Sequence, residues 1–200
     1  MKHKILVSAS DLFLSYGFKS VTMDDIANKI GISKKTIYQH FSNKTELIEA
    51  TTLHLFDEIS KGIDEIILTR MNPIEEIFEI KKFVLDHLKD EKSSPQYQLQ
   101  KYYPQIYDNL KCNQFDVMNG CVSENLKRGI EMGLYRDSIN IDFITRIYFN
   151  CMLAIKDRDL FPLKKFSINT LMEHYIIYHL RGICTDKGIA QIHQFTNTTH

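Results

Sequence analysis

Three helix starts within about twenty-two residues constrain this chain more than any other feature of its sequence. Thr22 heads the stretch TMDDIANKIG with Asp25 three residues on, a variant of the capping box, and Val21 and Ile26 can close a hydrophobic staple around it. Gly31 stands where that helix stops, Ser33 caps a very short third helix running to about His40, and Asn43 with Glu46 repeats the cap pattern to open a fourth. Ahead of them, Ile5, Ala9, Leu12, Phe13 and Tyr16 keep the helical period, and Gly17 sits where a left-handed cap would end a first helix.

Helices this short are stable only when packed on one another. Ile26, Ala27, Ile30, Ile32, Ile37 and Phe41 form the small core that fixes their angle, which leaves Lys34, Lys35, Thr36, Tyr38, Gln39 and His40 outside. Two short helices joined at a tight glycine turn, the second one basic, fit a helix-turn-helix whose second helix enters a DNA major groove. Lysine can bond guanine edges, a threonine methyl can meet that of thymine, and glutamine can pair with adenine. Thr22 and Lys44, each at a helix start, are placed to hold phosphates beside free backbone amides.

Charge supports a polyanionic partner at this end only. The chain has 25 basic and 25 acidic residues and no formal net charge, yet Ile26 to Lys44 contains four lysines and no acid. From Asp57 to Glu91 ten acids face five bases, so neutrality conceals a basic tip on an acidic body.

The residues from Ile5 to Ala50 resemble the N-terminal DNA-binding domain of the TetR family of bacterial transcriptional regulators. The likeness rests on Ala9, Phe13 and Gly17, on Thr22, Ile26 and Ala27, on Gly31 and Ser33 at the turn, on the string TIYQHF, and on Lys44 with Leu47. By position, it implies that Thr22, Tyr38, His40 and Lys44 touch the DNA backbone while Lys34, Lys35 and Thr36 face base edges, with Ser33 and Gln39 in the same surface. The family usually carries a small residue, often glycine, where Lys35 stands. The resemblance further implies a homodimer on a palindromic operator, dimerisation through two late helices (about 141–156 and 167–181), and a C-terminal domain that binds a small effector.

Beyond residue 44 the pattern stays helical. A long fourth helix keeps apolar residues at Leu47, Leu55, Ile59, Ile63 and Ile66, and Asn72-Pro73 ends it and opens the next. Ile77 to Leu88 form that helix, and the polar stretch KDEKSSPQ interrupts the periodicity. Further helices are expected over 97–110, bent or divided by Pro104, and over 115–132, 141–156 and 167–181. No segment alternates with period two over a strand's length. The expected fold is all-α: a three-helix helix-turn-helix domain (1–48), joined by a long helix to a bundle of about six helices within 49–188, and a polar, frayed tail over 189–200.

Aromatic and thioether residues are plentiful in the second part, and most of them must simply fill a helical core. Tyr97, Tyr103, Tyr107, Met118, Phe149 and Met152 are the candidates for an effector cavity, since such side chains line adaptable apolar pockets and Pro104 disrupts a helix among them. Leu171, Met172, Tyr175, Ile176 and His179 make an apolar stripe that suits either a subunit seam or internal packing.

Positive signals for other chemistry are lacking. His174 and His179 are five apart, off the spacing that places two ligands on one helix face, and the scattered Cys112, Cys121, Cys151 and Cys184 suit reduced core thiols. No nucleophile elbow, phosphate-cradling loop or zinc-protease motif is present, so neither catalysis, a metal nor a cofactor is expected. The basic N-terminus is broken by Ser8, Ser10 and Asp11 before a signal core forms, which points to the cytoplasm with no membrane span. The functional expectation is a ligand-responsive repressor; the alternative is a helical carrier of a small or lipid-like molecule with a basic, anion-binding tip.

Overall fold

A computed structural model describes residues 1–88 and 94–196. It divides into two compact units, one formed by 1–60 with 87–113 and the other by 61–86 with 114–200. Helices are the regular elements among the described residues, apart from an isolated antiparallel bridge between Tyr135 and Cys184.

The first unit begins with α1 (Lys2–Tyr16), α2 (Met23–Ile30) and α3 (Lys34–Tyr38). Ile5, Ala9 and Phe13 recur along the inner face of α1 and are buried. Gly17 ends that helix at φ 84°, ψ 156°. Its φ is positive, as a glycine stop requires, but its ψ is extended rather than left-handed helical, so the expected cap type is corrected here. The positive φ is the reason for glycine here, since the nearest atoms a Cβ would meet are the terminal amide of the flexible Gln98 side chain, which can move aside. Gly31 adopts the left-handed conformation at φ 70°, ψ 39°, and Ile32 N–H returns to the Ala27 carbonyl at 3.0 Å.

The fourth helix, α4 (Lys44–Leu68), supplies residues to both units. Asn43 Oδ1 accepts from Glu46 N–H at 2.9 Å, and the Glu46 carboxylate accepts from Ser42 N–H at 2.6 Å, so the start read from sequence is a reciprocal cap reaching one residue further back. Two later helices complete the first unit: α6 (Pro95–Tyr102) and the start of α7 (Pro104–Glu131). Leu99, Ile106 and Leu110 from them join Ile5, Phe13, Ile26, Ile37, Phe41 and Leu47 in one buried cluster. The core of the helix-turn-helix is therefore closed by residues more than fifty positions away in the chain.

Pro104 divides the segment around 97–110 and opens α7, as its fixed φ and missing N–H favour at a first helical position. The break expected near 111–114 is absent: Lys111, Cys112, Asn113 and Gln114 are only weakly apolar but none is a helix breaker, so α7 runs unbroken for 28 residues.

The second unit contains α5 (Pro73–His87), the remainder of α7, α8 (Ile141–Ala154), α9 (Ile168–Ile183) and α10 (Asp186–Thr196). Ser167 caps α9 by accepting from Thr170 N–H at 3.1 Å, and Asn140 caps α8 by accepting from Phe143 N–H at 3.0 Å. Ile74, Leu126, Leu134, Tyr135, Ile176, Leu180 and Ile192 form one buried cluster of this unit; Leu85, Ile155, Ile168, Leu171 and Met172 form another. The tail is not frayed from residue 189. Ile189, Ile192 and Phe195 stand on one face of α10, Ile192 is buried, and Phe195 stacks on Phe78 at 5.5 Å, so three apolar side chains suffice to dock a polar helix. The residues after 196, and the 89–93 part of the KDEKSSPQ break, lie outside the described residues.

Candidate DNA interface

The surface assembled by α2, α3 and the head of α4 is built from caps. Thr22 Oγ1 accepts from Asp25 N–H at 3.1 Å while the Asp25 carboxylate accepts from Thr22 N–H at 2.8 Å and from the Thr22 hydroxyl at 2.7 Å. Those bonds stabilise the ionised carboxyl and hold the Asp25 pKa below its usual range. Ser33 repeats the arrangement for α3, its Oγ accepting from Thr36 N–H at 3.1 Å and pairing with Thr36 Oγ1 at 2.8 Å. Both hydroxyls are thus partly committed to shaping the helix starts.

Ile37 anchors α3 to the core with no exposed surface, and Phe41 follows it inward. Rotation about a five-residue helix then decides the rest: Lys34, Lys35, Tyr38 and Gln39 are exposed, with Thr36 and His40 half-buried beside them. Tyr38 presents 45% of its surface between the exposed Lys35 and Gln39. Lys44, at the first position of α4, is half-buried; burial lowers its pKa, against the opposing charge of Asp25. All nine residues singled out from the sequence, Thr22, Ser33, Lys34, Lys35, Thr36, Tyr38, Gln39, His40 and Lys44, belong to the first compact unit.

One residue of this surface was missed. The acid-free stretch 31–44 gives no partner for its lysines, but Lys34 Nζ donates to Asp24 Oδ2 at 2.7 Å from ten residues earlier. That bond raises the Lys34 pKa. Lys29 likewise lies 3.7 Å from Asp11. A pair spanning two helices and a turn follows no single helical period, so only a reading of the assembled motif could have found it.

Effector candidates from the sequence fall in different units. Tyr97, Tyr103 and Tyr107 lie in the first, where Tyr97 borders Lys101, Tyr103 meets Phe18 with ring centres 6.2 Å apart, and Tyr107 packs on the core. Met118, Phe149 and Met152 lie in the second, where Phe149 meets the edge of Phe115 at 5.2 Å and Met152 packs against the cluster around Leu171. Within the first unit a cavity of about 270 Å³ opens between α4 and α7, lined by Glu49, Thr52, Leu53, Ile106, Asn109, Leu110, Cys112 and Asn113. Its lining contains none of the six. The Thr52 hydroxyl is buried there without a hydrogen-bond partner.

Among the described residues no group of three His, Cys, Asp or Glu side chains could hold a metal ion, and no helix is long and apolar enough to cross a membrane. Capped short helices with an exposed basic face on the second have the geometry of a helix-turn-helix. Residues 5–51 match the family model described as bacterial regulatory proteins, tetR family. The transcriptional activator FasR of Mycolicibacterium smegmatis is 36% identical over 66 residues, which cover 33% of this chain and 30% of that protein. The transcriptional repressor KstR2 of the same species is 21% identical over 194 residues, 94% of this chain and 92% of the relative. The solved structure of a transcriptional regulator from Cytophaga hutchinsonii covers 90% of this chain and 97% of its own at a TM-score of 0.69 and 18% identity, a likeness of fold. Residues 5–51 thus match the DNA-binding domain of the tetR family, and the relatives this chain is similar to are transcriptional regulators.

Proposed function

We propose that this protein is a repressor that binds a palindromic operator as a homodimer and changes its DNA affinity when a small apolar or aromatic effector binds. The observation that carries the DNA reading is α3 itself: Ile37 is wholly buried while Lys34, Lys35, Tyr38 and Gln39 stand exposed around it. In this reading Lys34, Lys35 and Thr36 face base edges, with Gln39 and Ser33 beside them, and Thr22, Tyr38, His40 and Lys44 hold phosphates. Repression is favoured over activation because the relative named a repressor aligns along nearly the whole chain, whereas the one named an activator aligns over the DNA-binding third.

Exposed apolar residues on the late helices support the dimer. Phe143 and Ile147, one turn apart on α8, are 59% and 41% exposed, and Tyr178 on α9 is 78% exposed. A second copy seated on the segments 141–156 and 167–181 would cover them, and a cytoplasmic regulator working as a dimer would read two half-sites about 34 Å apart.

For the effector, the α4–α7 cavity is the best-supported location in the first unit, with Tyr103 and Tyr107 flanking its Ile106 along the chain and Tyr97 on the preceding helix. Met118, Phe149 and Met152 are proposed as effector contacts of the second unit, to be tested by themselves. Regulation requires that the effector favour a conformation in which the two recognition helices no longer match the operator. Lys44 at the head of α4 gives that helix a direct grip on DNA.

Selection of full-length protein against a pool of random duplexes tests this reading. Enrichment of an inverted repeat with half-site centres about 10 base pairs apart, together with a dimeric mass in sedimentation, is expected. Recovery without a common sequence would contradict it and favour a carrier with a merely basic tip.

A further inference from the structure

We propose that Asp24 is a specificity-determining residue: by holding the Lys34 ammonium, it withholds that lysine from DNA phosphates and leaves it available to base edges. The proposal rests on the reading of α3 as the recognition helix. Asp24 sits in the first turn of α2, two residues after Thr22, and its carboxylate is 2.7 Å from Nζ of Lys34, the first residue of α3.

Capping does not account for this carboxylate. The neighbouring Asp25 already closes the box with Thr22. An acid in a helix's first turn is mildly favourable through the helix dipole, but one that faces a polyanion opposes binding. Both side chains are substantially exposed, 44% for Lys34 and 59% for Asp24, so the pair contributes little to folding and is placed where DNA would meet it.

Two consequences follow from lysine's chemistry. An ammonium carries three donors on a flexible four-carbon stem; one donor given to Asp24 confines the stem and leaves two others to point outward. Guanine O6 and N7 can accept from those two while the pair persists. Phosphate contact gains less, because the nearby carboxylate offsets the charge on which it depends. Random duplex, bound almost wholly through phosphates, is therefore penalised more than operator.

The test compares full-length wild type with Asp24→Asn, Lys34→Ala, the double variant and Asp24→Glu. Each is titrated with the selected operator and with random-sequence duplex across a salt series. Asp24→Asn is expected to tighten random-duplex binding about two- to fivefold and to steepen the salt dependence by about one phosphate's worth, with a smaller gain on operator. The operator-to-random ratio therefore falls. In the Lys34→Ala background the same substitution should leave that ratio unchanged, and Asp24→Glu should restore much of it. Equal tightening on both duplexes, or a ratio change that persists without Lys34, would overturn the role of Asp24 while leaving the recognition helix intact. If Lys34→Ala alone leaves the preferred sequence unaltered, the base-reading role fails first and the role of Asp24 falls with it.

Discussion

Arg128 of α7 donates to one oxygen of Glu76 on α5 at 2.6 Å, and Asn125 donates to the other at 2.8 Å. The Tyr135 hydroxyl completes the group by donating to Asn125 Oδ1 at 3.0 Å, and Asn125 also donates to the Pro73 carbonyl at 2.9 Å. Glu76 and Tyr135 are each only 1% exposed. Removing one member strands the others in a medium that cannot solvate them. Glu76→Ala should cost ~3–5 kcal/mol and Tyr135→Phe ~1–2 kcal/mol in urea unfolding. If Glu76→Ala costs less than ~1 kcal/mol, the network is not holding α5 to α7.

His179 lies among aromatic rings, 4.9 Å from Tyr148 of α8 and 5.9 Å from Tyr175 of its own helix. Burial disfavours the imidazolium and brings its pKa down to about 4, while burial pushes the Tyr148 phenol up to about 12 and leaves it neutral. Below the unfolded histidine's pKa of ~6.5 the unfolded chain takes up a proton that the folded one refuses, so stability falls as pH drops from about 6.5 toward 4. A loss of about 2 kcal/mol between pH 7 and pH 5 is expected from this residue. In His179→Gln that part of the slope should vanish when urea midpoints are compared at the two values.

Three of the four thiols should separate in reactivity. Cys112 is exposed, whereas burial raises the pKa of Cys121 and of Cys184 to about 11. A disulfide reagent at pH 8 should modify Cys112 rapidly and those two only slowly, since the thiolate is the reacting form. Denaturant should abolish the difference. Fast modification of Cys184 in the native protein would contradict its place in the second unit's core.

Gly31 tests the turn separately from the helices. A Cβ there would meet nothing within 4 Å, so Gly31→Ala is charged only for its left-handed φ of 70°, about 1–2 kcal/mol. Thr22→Ala should cost about 1 kcal/mol through the lost cap. Both losses should appear in thermal melts, and Thr22→Ala should also weaken binding to every duplex alike if Thr22 holds a phosphate.

The sequence made the first forty-eight residues legible because their information is local. Caps at Thr22, Ser33 and Asn43 act within three or four residues, and the left-handed turn at Gly31 is a property of one residue. The parts that escaped are those set by distance. Leu99 and Ile106 close the first core from α6 and α7, Asp24 reaches Lys34 across a turn, and α10 is held by Ile192 and Phe195 docking on residues far earlier. Aromatic content could nominate Tyr97 or Phe149 as effector contacts, but content carries no direction. The cavity between α4 and α7 is instead lined by a carboxylate, a hydroxyl, two amides, a thiol and three aliphatic side chains that no pattern in the chain brings together.

The most direct test is a ratio: the affinity of the full-length protein for its selected operator against a shuffled duplex of the same composition, at one fixed salt concentration. It is measured for wild type and for the variant with Lys34 and Lys35 both changed to alanine. A specific regulator should favour the operator about a thousandfold or more, and the double variant should lose most of that preference. A wild-type ratio near one, or a high ratio untouched by the two substitutions, would contradict recognition through α3.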